Sequence, residues 1–340
     1  MSQPDVNAME LVRNLIHGRW KAQCLDTTLK LGIAEALDGQ ARSIPELAAA
    51  LEVNEDGLAR LMRLMVALGV FAQDDDARFS NNEASRLLRA DHPASMLPEA
   101  AQTLSPAVNI SWDNLEHSIR TGKSGFEHAM GKTVFDYFGD HPEEAEINHR
   151  YYIELSRYNV PVLMSAYAFP DTGTVVDVAG GTGQTLIGLL QQNPGLKGIL
   201  YDIGVTVDTA GDTLAAAGVG DRLTAVVGNM FESVPSGADV YLLNNIPHDW
   251  ADDRVSTIFS SIAAALSPTA ELVVMDILRP EGIDFVSAYL DVLFLTGLNG
   301  KMRTVAELTD LLEGAGLNVT ATTESNFGGM GIAVFTSRKA

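Results

Sequence analysis

One cysteine, Cys24, stands in 340 residues. That excludes an internal disulfide framework and a cysteine-built metal cluster. Basic residues are scarce: 23 Lys and Arg face 44 Asp and Glu, a formal net charge of −21. So acidic a chain lacks the electrostatic footprint that phosphate backbones require, which argues against a nucleic-acid partner. No uncharged apolar stretch reaches the ~18 residues of a membrane span. The start of the chain has no basic segment followed by an apolar block, so no secretory signal is expected and a cytoplasmic location is the default. His17, His92, His117, His128, His141 and His149 are scattered, with no second histidine at helical spacing, so no metal site is expected. Internal repeats and low-complexity segments are also missing.

What is present centres on residues 174–183, TVVDVAGGTG. Val175, Val176, Asp177 and Val178 form a β-branched apolar run that reads as a buried parallel strand. Gly180, Gly181 and Gly183 then make a turn where backbone can approach a ligand closely, and Leu186, Ile187, Leu189 and Leu190 open a helix. Strand, glycine turn and helix begin a nucleotide-binding doubly wound sheet. The third glycine of a nicotinamide or flavin fingerprint is missing, and so is a Walker lysine. An acid on the strand, Asp177, followed by a tight turn without a phosphate cradle, suits S-adenosylmethionine (SAM), which has a ribose and an amino-acid tail but no pyrophosphate. Asp202 ends the next apolar run, about 20 residues on, where an acid can accept hydrogen bonds from ribose hydroxyls.

The length predicts two domains, with a boundary near residue 104. Residues 1–104 read as helical. Leu11, Leu15, Ile16 and Trp20 share a helix face, continued by Cys24, Leu25 and Leu29 to a stop at Gly32. Ser43, Pro45 and Glu46 mark a capped helix start. A further helix from about Glu55 ends at Gly69, and two short strands around Asp74, Asp75 and Asp76 complete a winged-helix pattern. Its candidate recognition helix offers only Arg60 and Arg63, so packing against a second subunit explains the domain better than DNA reading. Residues 105–340 begin with a helical connector. There Trp112, Leu115 and Ile119 fall on one face, and a helix over 142–168 carries Tyr151 and Tyr152. From 174 onward strands (175–178, 199–201, 223–227, 239–243, 272–275) alternate with helices (184–192, 207–216, 254–266), which predicts a parallel sheet. A helix over 305–315 precedes two strands, 317–322 and 332–335, whose short connection forces antiparallel pairing. The expected fold class is α/β: a Rossmann-like domain with an antiparallel C-terminal hairpin, plus an all-α, winged-helix N-terminal domain.

The chemistry is expected after the fourth strand, at the sheet edge where ligands bind. His248 is the residue there able to act as a base near pH 7. An acid beside it would hold its tautomer; Asp276, ending the fifth strand, is the best placed. Asp249 is also a candidate, although adjacent side chains rarely face each other. A surface histidine in a Pro-His-Asp turn is the alternative.

These residues resemble a known family. The winged helix, the Trp112, Gly122, Phe126, Gly131 and Pro142 spacing, TVVDVAGGTG, Tyr201-Asp202, GNMFESVP, HDW and the arginine of Gly300-Lys301-Met302-Arg303-Thr304 follow in order the pattern of the two-domain small-molecule O-methyltransferases, including plant caffeic-acid-type and bacterial polyketide-tailoring enzymes. The resemblance spans nearly the whole chain. It implies a homodimer joined through the N-terminal domain, with SAM as methyl donor and S-adenosylhomocysteine as product. It also implies that Ala179, Gly180, Gly181 and Gly183 lie under the methionine portion and Asp202 binds the ribose. Asn229 and Met230 would flank the adenine, Asn244 would stand at a cofactor position, and Ser156 would meet the carboxylate tail. His248 would be the general base, supported by Asp276. Trp112, Tyr151, Tyr152, Phe294 and Met302 are candidates for lining an apolar acceptor pocket. Four positions depart from the pattern. Ala179 replaces the first glycine of the turn, which is tolerable on the expectation that the residue keeps a negative φ. Asn229 replaces an aspartate, Asn244 a lysine, and Met302 the second supporting glutamate. The implied activity is methylation of a hydroxyl on an aromatic or polyketide-like molecule. A SAM-binding, non-methylating relative (pericyclic, hydroxylation or decarboxylation chemistry) is the alternative, and a winged-helix regulator with a ligand domain is a third reading.

Overall fold

A computed structural model describes residues 6–204, 207, 217–327 and 330–340. The chain divides into two compact units, Met1–Pro106 and Ala107–Ala340. In the first, the predicted single helix is two, α1 (Val6–Ile16) and α2 (Gly18–Lys30), interrupted at His17. Glycine at 18 lowers helix propensity there. α3 (Ile33–Ala36), α4 (Ile44–Leu51) and α5 (Glu55–Ala67) follow. The Glu46 carboxylate accepts from the Ser43 N–H at 2.8 Å and the Ser43 hydroxyl at 2.9 Å, which caps α4. Strands β1 (Phe71–Gln73) and β2 (Phe79–Asn81) pair antiparallel as the expected wing. α6 (Glu83–Arg86) and α7 (Leu97–Thr103) close the unit. Ile33, Leu47, Leu58, Met62, Met65, Phe71 and Phe79 form its core. Arg60 is ion-paired with Asp56 on its own helix. Leu11, Leu15, Ile16 and Trp20 are each more than 60% exposed, so the apolar stripe of α1 finds no partner within the chain's described residues.

The second unit starts with short helices: α8 (Pro106–Asp113), α9 (Leu115–Thr121), α10 (Gly125–Met130) and α11 (Val134–Asp140). Trp112 and Ile119 therefore sit on different helices rather than one face, and Ile119 is exposed. The long α12 (Pro142–Ala166) leads to β3 (Gly173–Val178), α13 (Gln184–Gln192) and β4 (Leu196–Asp202). The helix expected over 207–216 lies outside the described residues, apart from Val207. Then come β5 (Leu223–Val227), β6 (Val240–Asn244), α14 (Asp252–Ala265), β7 (Glu271–Leu278), α15 (Phe285–Leu298), α16 (Val305–Gly314), β8 (Leu317–Phe327) and β9 (Met330–Lys339).

Among the described residues these strands make one sheet, in the order β5-β4-β3-β6-β7-β9-β8. β5 to β7 run parallel, whereas β9 is antiparallel to both β7 and β8. Order reverses between β3 and β6, so the carboxyl ends of β3, β4 and β6 open a crevice at the switch point. Core side chains cover both faces of the sheet. Val176, Tyr241, Leu243, Phe259 and Ile262 fill one side, and Val175, Leu186, Leu190, Leu242 and Val273 the other. Burial on both sides is what the near-continuous apolar strands required.

Candidate active site

The turn after β3 is built for close approach. Ala179, Gly181 and Gly183 have φ of 56°, 61° and 77°. The expected negative φ at Ala179 is therefore corrected. The turn needs a left-handed residue there, and alanine adopts it at about 1–2 kcal/mol of strain. Gly180 is required for space: a Cβ would come within 2.6 Å of the Asp177 carboxyl and of the Leu200 side chain. Asp202 braces the turn. Its carboxylate accepts from the Gly181 N–H at 2.8 Å and from the Ile203 N–H at 2.7 Å.

Behind the turn, Asp177 is 1% exposed, and neither carboxyl oxygen has a hydrogen-bond partner. Burial, then the charge of Asp202, pushes its pKa up to about 7. Asn244, ending β6, donates to the Thr185 hydroxyl at 3.1 Å and leaves its carbonyl oxygen buried and unpartnered. Asn229 accepts from the Phe231 N–H and donates to Glu232, and Met230 is half-buried beside it. Ser156 on α12 donates to Ile153 O. Phe231 and Trp250 meet edge-on at 4.8 Å, with Arg254 stacked 3.5 Å over the Phe231 ring. Phe231 and Trp250 fall in the GNMFESVP and HDW stretches, but that they meet is not readable from the sequence, since one follows β5 and the other precedes α14.

The His248 turn is a single 3-10 turn, Pro247–Asp249, entered through Asn245 at φ 57°. The imidazole is 5% exposed. Nδ1 lies 2.5 Å from Asp276 Oδ1, at the end of β7. Nε2 lies 3.3 Å from Asp249 Oδ1, within ion-pair range though not aligned as a hydrogen bond. The expectation that Asp249 would face away from its neighbour is thus corrected: in this tight turn its carboxylate reaches the Nε2 edge of the ring. Phe294 of α15 stacks on the imidazole at 4.4 Å.

Burial pulls the His248 pKa down, but the charges of Asp276 and Asp249 outweigh it and Arg303 opposes them only in part, so the net direction is up. Burial raises Asp249 to about 6 against the pull of His248. Tyr151 and Tyr152 meet edge-on at 5.5 Å. Although 43% of Tyr152 is exposed, burial of its hydroxyl end, then the charge of Asp249, pushes its pKa up. Trp112 stacks on Tyr289 at 5.6 Å, with Phe285 beyond Tyr289. Met302 has no exposed surface, and its N–H donates to Asp291; as a candidate lining residue it is enclosed by protein. Among the described residues no group of three His, Cys, Asp or Glu could hold a metal ion, and no helix is long and apolar enough to cross a membrane.

A tight glycine turn and a buried imidazole flanked by carboxylates share the carboxyl edge of one sheet, the place where doubly wound α/β proteins bind their ligands. Comparison with known proteins makes the class specific. Residues 112–318 match the O-methyltransferase domain, and residues 13–91 the O-methyltransferase dimerisation domain. The mitomycin biosynthesis 6-O-methyltransferase of Streptomyces lavendulae is 34% identical over 92% of this chain and 90% of its own. The structure of the mitomycin 7-O-methyltransferase MmcR superposes with a TM-score of 0.92 at 32% identity, covering 98% of each chain. An O-methyltransferase from neocarzinostatin biosynthesis, solved with SAM and 2-hydroxy-5-methyl naphthoic acid, gives a TM-score of 0.79 at 26% identity, covering 94% of this chain and 96% of that one. The chain belongs to the O-methyltransferase family and is a SAM-dependent enzyme of it.

Proposed function

We propose that the protein methylates a hydroxyl on an aromatic or polyketide-like secondary metabolite, with His248 as general base. The observation that carries this reading is the buried imidazole fixed by Asp276 at Nδ1. A carboxylate there keeps the proton on Nδ1 and leaves the Nε2 lone pair to accept one. When bound, SAM supplies a methyl group made electrophilic by its sulfonium. Ala179, Gly180, Gly181, Gly183 and Asp202 would hold it, with Asn229, Met230, Asn244 and Ser156 around it. The left-handed Gly181 and Gly183, where a Cβ at 181 would meet nothing, leave the outer side of the turn open to a ligand, and the unpartnered oxygen of Asn244 at the end of β6 is a free acceptor beside it. Nε2 takes the acceptor O–H proton, and the charged imidazolium is stabilised by Asp276 and Asp249. The aromatic side chains Trp112, Tyr151, Tyr152 and Phe294 suit a flat acceptor. Most of the acceleration would come from holding oxygen and methyl in attack geometry.

The exposed α1 stripe and the matched dimerisation domain support a homodimer formed through the N-terminal unit. Incubating purified protein with SAM and a panel of phenols tests the chemistry. Product heavier by one methylene unit, with one S-adenosylhomocysteine per turnover, is expected, and conversion without S-adenosylhomocysteine would establish the non-methylating alternative instead. His248→Ala should lower kcat by about 10²–10⁴-fold; a parental rate would remove the base from the mechanism.

A further inference from the structure

Residues 299–304, between α15 and α16, lie across the turn that carries His248. Lys301 N–H donates to His248 O at 2.9 Å. Gly300 makes the approach possible: a Cβ there would stand 2.1 Å from the His248 carbonyl oxygen. Next in this strap is Arg303, 1% exposed and the largest fully buried side chain among the described residues. Its Nη1 donates to Pro247 O at 2.7 Å and to Lys301 O at 3.2 Å. Nη2 donates to Trp250 O at 2.7 Å. Nε donates to Asp252 Oδ1 at 2.9 Å, and Nη2 lies 2.8 Å from the same oxygen. One guanidinium thus grips the carbonyls on either side of the His248-Asp249 pair.

The backbone of Arg303 is tied elsewhere. Its carbonyl accepts from Arg279 N–H at 2.9 Å, and Arg303 pairs in parallel with Leu278. Leu278 ends β7, the strand that carries Asp276. Arg303 is therefore a rigid link from the strand holding one member of the His–carboxylate pair to the turn holding the other. A planar fork with donors in fixed directions can do this; a lysine ammonium is a single point with flexible reach. Burying a guanidinium is costly unless its donors are satisfied, and here they are divided between the Asp252 carboxylate, Lys301 O and the two carbonyls of the His248 turn.

We infer that Arg303 is a positioning residue for methyl transfer, setting the His248 imidazole against Asp276 by clamping the 247–250 turn to the end of β7. The inference rests on reading His248 as the base. The charged and titratable groups around the imidazole are Asp276 from β7, Asp249 from its own turn, Arg303 from the strap and, through Asp249, Tyr152 from α12; α15 contributes the apolar Phe294.

Arg303→Lys, Arg303→Met and Asp252→Asn, made in the full chain, test it. The expected result is a fall in kcat of about 10²-fold for Arg303→Lys and ~3–10-fold for Asp252→Asn, the size of a misplaced catalytic group, while the SAM dissociation constant by calorimetry moves less than about threefold. The pH profile supplies a readout that a purely structural role would not move. Arg303→Lys keeps the charge and loses only the fork, so an imidazole no longer set against Asp276 titrates at lower pH there, whereas Arg303→Met also removes a charge that lowers the His248 pKa. Should Arg303→Met fail to fold, Asp252→Asn at a half-exposed carboxylate carries the test, with imidazole titration followed by NMR. A parental kcat and pH profile in Arg303→Lys overturns the inference, as does a kcat loss in every variant that matches the loss of folded protein. If His248→Ala keeps the parental rate, the base reading fails by itself. The NMR titration of His248 in Asp252→Asn still reports whether the clamp sets the ring, so the two failures are separable.

Discussion

Asp177 should make the methyltransferase unit less stable as pH rises, and Asp177→Asn should remove that dependence. The carboxyl is buried with both oxygens unpartnered, and its pKa rises from 3.8 to about 7. A raised folded-state pKa means that the native state binds more protons than the unfolded chain between those two values. Stability is therefore full below about pH 4, falls through pH 4–7 and levels off above. At about 1.36 kcal/mol for each pH unit between the two values, the penalty at pH 8 is on the order of 4 kcal/mol. Asparagine keeps the shape and neutrality of the protonated acid. Near pH 5 the two proteins should thus melt within a few degrees of each other, and at pH 8 the variant should melt ~10 °C higher. Calorimetric melting of both proteins from pH 5 to 9, without SAM, measures the difference directly, because Asp249 and His248 titrate in both and cancel. Parallel melting curves, or a wild type more stable at pH 8, would refute a buried and uncompensated acid. On the proposed placement of SAM at this turn, the variant should also bind SAM more weakly, an exchange of stability for function.

Gly180→Ala should abolish SAM binding by calorimetry, because the new methyl meets the Asp177 carboxyl and Leu200 inside contact distance. Ala179→Gly should raise the melting temperature slightly, relief of ~1–2 kcal/mol of left-handed strain outweighing the entropy of an added glycine; a lower melting temperature would contradict the left-handed turn. Asp249→Asn should move the acidic limb of the kcat/KM profile to lower pH, since Asp249 raises the His248 pKa; a shift to higher pH would be wrong for this geometry. Leu15→Glu with Trp20→Glu should convert a dimer to monomer in light scattering, both side chains being more than 60% exposed on the first two helices.

Much of the fold is readable in the sequence where local chemistry decides. Gln184–Gln192 is bounded as predicted because the glycine turn and Asn193 mark its ends. Ser43 and Glu46 declare their cap three residues apart. The expected parallel strands lie at the predicted places, and the hairpin strands run longer than expected because pairing with β7 and with each other extends them past their apolar centres. Other features depend on partners remote in the chain. α15 escapes the pattern because its run, Phe285–Leu298, is apolar around most of its surface and shows no helical stripe. Ala179 misleads because its conformation is set by the turn that Asp202 braces from the next strand, not by alanine's own preference. Arg303 stands in the motif, but its partners Pro247 and Trp250 are some fifty residues away.

The methionine at 302 shows why motif position alone misjudges electrostatics. In the family pattern a second acid supports the histidine from this place, so its loss reads as a weakened base. Yet what the imidazolium needs is negative charge close to the ring, whichever element delivers it. Here Asp249 lies 3.3 Å from Nε2, and together with Asp276 it outweighs both burial and the opposing charge of Arg303. Arg303 pins the carbonyls of Pro247 and Trp250 on either side of the His248-Asp249 pair. The same strap thus carries an apolar side chain at 302 and, at 303, a guanidinium bound to the turn that presents Asp249. Substitution at 302 alone therefore does not argue against proton removal by His248: the charge environment of the ring, not the presence of a glutamate at one position, sets its basicity.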